Sequence, residues 1–181
     1  MLENNHETDR RSVSATAVAA MEELRGGVYV TDSREELAAR LAFSFEEAAS
    51  ENAEFLPGGE RFSDAYDRIV AGFRSLVLEE SWRTGLLVAH EGVNRLLLAH
   101  LCHAGLAGVA AFEQDLACIN VLDIDVVATG QDLKIQRALI RAMNVTAYDY
   151  VKAGLPKSSL EHLFDIDFNG QRPHAREIPR S

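Results

Sequence analysis

Residues 85–101 read GLLVAHEGVNRLLLAHL. The apolar run at residues 86–89 is bounded by Gly85 on one side and by His90 and Glu91 on the other, the pattern of a short buried strand. Beyond His90, Val93, Leu96, Leu97 and Leu101 recur at spacings of three and four, the stripe of an amphipathic helix. A strand that passes into a helix through one histidine predicts an α/β layered domain with helices on both faces of the sheet. In open α/β sheets ligands bind beyond the carboxyl ends of the strands, where helix N-termini offer free N–H groups and the positive end of the dipole. His90 stands at that edge. Position alone leaves two alternatives open: an imidazole that binds phosphate or transfers a proton, and a histidine that only closes a strand.

The flanking sequence supports the α/β assignment. Residues 12–27, SVSATAVAAMEELRGG, predict a short alanine-rich helix stopped by Gly26 and Gly27. Ser33 and Glu36 form an S-x-x-E capping box, and Leu37, Leu41, Phe45 and Ala48 follow at helical spacing. After the turn PGGE at residues 57–60, Phe62, Tyr66, Ile69, Phe73 and Val77 mark a second amphipathic helix ending near Glu80. Residues 118–124, CINVLDI, and 133–143, LKIQRALIRAM, alternate as strands, and the segment after them reads as irregular with one short turn. No internal repeat is visible. Residues 1–11 are expected to be disordered, 12–165 to form one domain and 166–181 a polar tail.

Composition narrows the function. With 181 residues and 47% hydrophobic side chains, the chain is long enough for one core. A formal net charge of -10 argues against nucleic acid and anionic membranes as partners. Cys102 and Cys118 lie in no C-x-x-C pair and read as reduced core residues, as in a cytoplasmic protein. The polar start MLENNHETDRR is unlike a signal peptide, and no window of about 18 uninterrupted apolar residues occurs. His100 and His103 are an i, i+3 pair without a neighbouring carboxylate, which favours core or boundary histidines over a metal site. Gly26 and Gly27 lack the spacing of a dinucleotide loop, so no cofactor is expected.

At this point four segments converge on a known family. LLVAHEGVNRLLLAHLCHAGL resembles the C-terminal motif of the phosphoglycerate mutase-like histidine phosphatases, in which a hydrophobic strand delivers the second active-site histidine in an H-G-G-x-x-R-like context. FLPGGERFSDAYDRI is similar to the family's P-G-G-E-S-x-x-D-x-x-x-R segment, through Pro57, Gly58, Gly59, Glu60, Asp64 and Arg68, with Arg61 in the usual serine position. MEELRGG is similar to the L-R-E-I-x-x-G stretch that carries the catalytic acid, which falls on Glu23, and FEQDLACINVLDID resembles a following strand in one bacterial branch. The resemblance covers about residues 20–160. It implies a three-layer, mostly parallel sheet flanked by helices, His90 and Glu23 as catalytic groups, His90 as a phosphate contact, and no metal.

The family's nucleophile belongs to an R-H-G motif at the end of its first strand, and no R-H-G occurs in this sequence. His6, in NNHET, echoes the H-G-E-T that often follows, without the arginine, the glycine or the apolar strand. Arg10 and Arg11, before an alanine-containing stretch, echo a later phosphate-binding arginine of the family, the alternative being solvated charges. Glu91 replaces a usual glycine and sets a negative charge near the presumed phosphate site. Transfer through histidine needs a neutral imidazole nucleophile, cationic groups on the phosphoryl oxygens and an acid for the leaving alkoxide.

Two classes of function therefore stand. One is a phosphomonoesterase or mutase acting on a small phosphorylated metabolite, impaired by the absent motif and N-terminally truncated relative to the family. The other is a non-catalytic relative that binds phosphate or pairs with another chain. An R-H-G strand missing from the sheet interior leaves open edges, so few strands and a possible homodimer are expected.

Overall fold

The computed structural model describes residues 15–28, 30, 31, 33–79, 82–130 and 132–147, and the statements below concern these residues. Arg34–Phe43 form helix α1, Phe62–Val77 α2 and Glu91–Leu101 α3, followed by strands β1, Ile119–Thr129, and β2, Asp132–Val145. Ser33 caps α1 as the sequence predicts: its side chain accepts from the Glu36 backbone N–H at 3.2 Å. The Glu36 carboxylate accepts from the Thr31 hydroxyl at 2.7 Å, so the cap extends two residues further back than an S-x-x-E box requires.

The core lies between α2 and α3. Phe62, Ala65, Ile69, Phe73 and Val77 line one face of α2, and Val93, Leu96, Leu97 and Ala99 face them from α3. Met21, Leu24, Phe45, Ala48 and Val109 close the ends of this layer. Phe45, Phe55 and Phe62 form a cluster with ring centroids 5.8 to 6.2 Å apart, the last pair edge-on. Tyr66 on α2 and His100 on α3 tie the helices further out, with the hydroxyl 2.9 Å from Nδ1. Burial first, then the neighbouring His103 and Arg74 charges, holds the His100 pKa below its ordinary value. A neutral ring with its proton on Nε2 lets Nδ1 accept from Tyr66.

The two strands pair antiparallel in a two-stranded sheet, from Thr129 opposite Asp132 to Ile119 opposite Val145. Both run longer than the alternating segments of the sequence suggested. Leu122, Ile124 and Ile135 pack against the helical core, while Ile119, Val121, Met143 and Val145 are exposed on the far face. Asp125 pairs there with Arg137 and Asp123 with Arg141, across the strands. A bulge near the open end turns Asn144 to φ 53°, and its side chain ties back to Asp115.

Three expectations change. Of the described part of the alanine-rich segment, only Ala19–Met21 forms a turn of 3-10 helix, because Glu22 is already extended at ψ 154° and the chain beyond it is held by α2. Residues 86–89 pair with no strand among the described residues. Leu86 and Val88 are 87% and 84% exposed and only Ala89 packs against the core, so among the described residues the run that reads as a buried strand is left largely uncovered. Cys102 is exposed and Cys118 half-buried, both free thiols outside the core. Among the described residues no helix is long and apolar enough to cross a membrane. The expected boundaries at residues 11 and 165 fall outside the described residues.

Candidate functional site

His90 is the N-cap of α3, with φ -78° and ψ 167°, and its carbonyl accepts from the Asn94 N–H at 3.1 Å. Its side chain makes no capping hydrogen bond, so the ring stands beside the first helical turn without closing it. The predicted handover from apolar run to histidine to helix therefore holds at the helix, while the strand before it lacks a partner.

Glu23 meets His90 here, from a segment 67 residues earlier in the chain. His90 Nδ1 lies 3.6 Å from Glu23 Oε2, with the imidazole 70% exposed and the carboxylate 36% exposed. Glu23 Oε1 accepts from the Leu24 backbone N–H at 2.8 Å. Burial pushes the Glu23 carboxyl above its ordinary pKa. The Leu24 and Gly92 amides and the His90 charge pull the other way, and the Glu91 charge adds to the rise. Such a carboxyl keeps a proton to higher pH than a solvated one. It can thus donate it to an oxygen leaving beside the α3 N-terminus.

The segment carrying Glu23 is tethered on its far side. The Arg68 guanidinium, from the middle of α2, donates to both Glu60 oxygens at 2.9 and 2.7 Å, and through Nη1 to the carbonyls of Ala20 at 2.9 Å and Glu22 at 3.1 Å. The Glu60 N–H donates to the Arg25 carbonyl at 2.8 Å, and the Arg25 N–H returns to Glu60 Oε2 at 3.3 Å. Burial alone would raise the Glu60 carboxyl; the hydrogen bonds from Arg68 and the Arg25 amide, with their charges, outweigh it and hold the pKa below the usual value. The two backbones approach so closely that a Cβ on Gly59 would lie 2.6 Å from the Arg25 carbonyl oxygen and 2.7 Å from the Gly27 nitrogen. Glycine at this crossing is a requirement of space.

Arg95 anchors the other side of α3. It is 7% exposed, bonded to Glu91 at 2.7 Å and Glu113 at 2.9 Å, with its guanidinium carbon 4.8 Å from the centroid of the Phe45 ring. Glu91, the residue in the glycine position of the motif, thus has its carboxylate engaged on its own helix.

The structure therefore brings together Glu23 and His90 of the residues singled out in the sequence. Arg10, Arg11 and His6 lie outside the described residues. Glu60 and Arg68 were visible as parts of a motif, but their bond to the Glu23 segment was not. The signal that could have found it is an invertible charge pair eight residues apart, one member in a glycine turn and the other on the opposite rim of a helix stripe. An open polar depression of about 390 Å³ lies along Arg25, Glu54, Glu60, Arg61 and Asp64 and does not include Glu23 or His90. Carboxylates of this depression already accept hydrogen bonds, Glu60 from Arg68 and Glu54 from the Gly58 amide. No group of three or more potential metal ligands occurs among the described residues.

The family model described as histidine phosphatase superfamily (branch 1) matches residues 6–130, more than half of the chain. No curated protein and no solved structure matches it.

Proposed function

The chain belongs to the histidine phosphatase superfamily, and from that membership we propose that Glu23 and His90 form the acid and phosphoryl-binding half of a site for a small phosphomonoester. The observation that carries this is the approach of the Glu23 carboxylate to His90 Nδ1, 3.6 Å, at the N-terminus of α3. The phosphoryl oxygens face the His90 ring and the helix N–H groups, with Arg10 and Arg11 as further cationic contacts. Protonated Glu23 delivers its proton to the ester oxygen as the bond to phosphorus breaks. The family's metal-free route needs a second imidazole to attack phosphorus in line, and the sequence has no R-H-G to supply it. Turnover by this chain is therefore slow, because loss of the attacking group from a concerted site removes orders of magnitude in rate.

A second function, a non-catalytic relative that binds phosphate and pairs with another chain, is favoured by the exposed Leu86 and Val88. On this view residues 86–89 act as a strand of a three-layer, mostly parallel sheet only once a further strand lies beside them, in a homodimer or from another source. Two free thiols and the net charge of -10 support a cytoplasmic setting.

The purified chain tests both. Hydrolysis of p-nitrophenyl phosphate no faster than by the His90→Ala variant, with inorganic phosphate perturbing the His90 ring resonances in the wild type, supports the impaired site. Rapid turnover with an acid-labile phosphoenzyme, both lost in His6→Ala, would show a complete enzyme with His6 as nucleophile. Absence of any phosphate effect on His90 would remove the phosphoryl-binding assignment.

A further inference from the structure

We propose that Arg68 and Glu60 are positioning residues that hold the Glu23 carboxylate against His90 without touching a substrate. The inference rests on Glu23 and His90 being the functional pair. Beyond the Glu22 N–H, which closes the 3-10 turn on the Ala19 carbonyl at 3.2 Å, residues 23–28 carry no helix or strand hydrogen bonds of their own, so something outside the segment has to fix the backbone on which Glu23 stands. Arg68 does this with one guanidinium. One edge grips both oxygens of Glu60, and Nη1 reaches two carbonyls, Ala20 and Glu22, the second of which is the peptide immediately before Glu23. Glu60 closes the circuit through the backbone of Arg25, two residues after Glu23. Glu23 is thereby bracketed from both sides by one ion pair whose side chains are 17% and 8% exposed.

The planar fork of arginine is what permits four directed bonds at once; a lysine ammonium keeps the charge but has no geometry for two carboxylate oxygens and two carbonyls together. Burial makes the arrangement stiff, because a partly released guanidinium would leave Glu60 desolvated and unpaired. The bracket acts on Glu23 through position and not through charge. Arg68 does not figure among the charges that set the Glu23 pKa, which are those of His90 and Glu91.

That distinction supplies the test. In the full ¹⁵N-labelled chain the Leu24 amide, bonded to Glu23, reports the titration of that carboxyl through its chemical shift, and Glu23→Gln identifies the signal by abolishing it. In folded Arg68→Lys the pH-dependent shift of Leu24 shrinks and its midpoint falls toward the free-carboxyl value of about 4.3, because the released carboxyl is resolvated. A role confined to stability would lower the melting temperature and leave the Leu24 titration of the folded state unchanged. That result would overturn the proposal. If Arg68→Lys gives no dispersed spectrum, Glu60→Gln decides on the same two readouts, since it weakens the grip on Arg68 while keeping an acceptor for the Arg25 amide. A titration of wild-type chain with inorganic phosphate runs in parallel. Failure to bind phosphate defeats the functional assignment of Glu23 and His90, while an unmoved Leu24 titration in the variants defeats the bracket.

Discussion

Replacing Gly92 with alanine sets two effects of opposite sign against each other at the centre of the site. Gly92 is the second residue of α3, and alanine is favoured over glycine in helices by at most about 1 kcal/mol. Propensity alone would make Gly92→Ala a stabilising change. The added Cβ, however, would lie 2.6 Å from Leu24 Cδ1 and 2.7 Å from Glu23 Oε1, closer than either contact tolerates. Leu24 is only 4% exposed and Glu23 is bonded to its own neighbour's amide, so neither moves freely. Overpacking of this kind costs about 1–3 kcal/mol. The clash therefore offsets or outweighs the propensity gain, leaving a net loss of up to about 2 kcal/mol. At roughly 2–4 °C per kcal/mol for a chain of this size, the melting temperature falls by up to about 8 °C. Calorimetry or circular dichroism on the full chain reads this directly, and the Leu24 methyl resonances should shift at the same time. A Gly92→Ala chain as stable as the wild type, with Leu24 unmoved, would show that Glu23 and Leu24 do not press on the start of α3.

Glu23→Gln should gain stability relative to the wild type at pH 7 and not at pH 3.5. The raised folded pKa means that Glu23 contributes stability below the unfolded value of about 4.3 and loses it as pH rises through the folded pKa, a loss glutamine does not suffer. Equal urea midpoint differences at the two pH values would contradict this. Tyr66→Phe should cost about 0.5–1.5 kcal/mol by removing the 2.9 Å bond to His100. Because the His100 pKa is lowered on folding, its stabilising contribution is present above about 6.5 and declines as pH falls toward the folded value; a wild-type chain whose His100 ring signals titrate at or above that value would refute it. Sedimentation velocity should show concentration-dependent association that Val88→Lys suppresses, since a lysine on an exposed apolar edge disfavours strand pairing; a monomer at every concentration would count against the open edge.

Helices with a strong local code were legible in the sequence. The spacing of Phe62, Ile69, Phe73 and Val77 marks the buried face of α2, and Ser33 marks the start of α1. His90 was legible for the same reason, since it stands where an apolar run gives way to a helical stripe. What could not be read depends on partners distant in the chain. Residues 86–89 have strand composition, but a strand is made by its neighbour, and none is present among the described residues. The alanine-rich segment gives up helix because Arg68, 48 residues after Ala20, takes the carbonyls a helix would have used. The antiparallel pairing of β1 with β2 was also missed, although a glycine lies between two alternating runs at residue 130. The meeting of Glu23 with His90 was implied by family likeness, and local pattern alone could not have supplied it.

The tethering of the Glu23 segment also sets an order in time. The hairpin closes through contacts between near neighbours in the chain and can form in about 1–10 μs. Residues 20–25 have no comparable local partner; they wait for Glu60 and Arg68, 35 to 48 residues downstream, and then for the start of α3. Closing those longer loops is slower and depends on α2 being already formed. The carboxyl–imidazole pair is thus among the last features to appear as the chain folds, and among the first to be undone by a local opening. Pulse-labelling hydrogen exchange should find the β1 and β2 amides protected before that of Leu24; simultaneous protection would mean that the body and the hairpin condense as one unit.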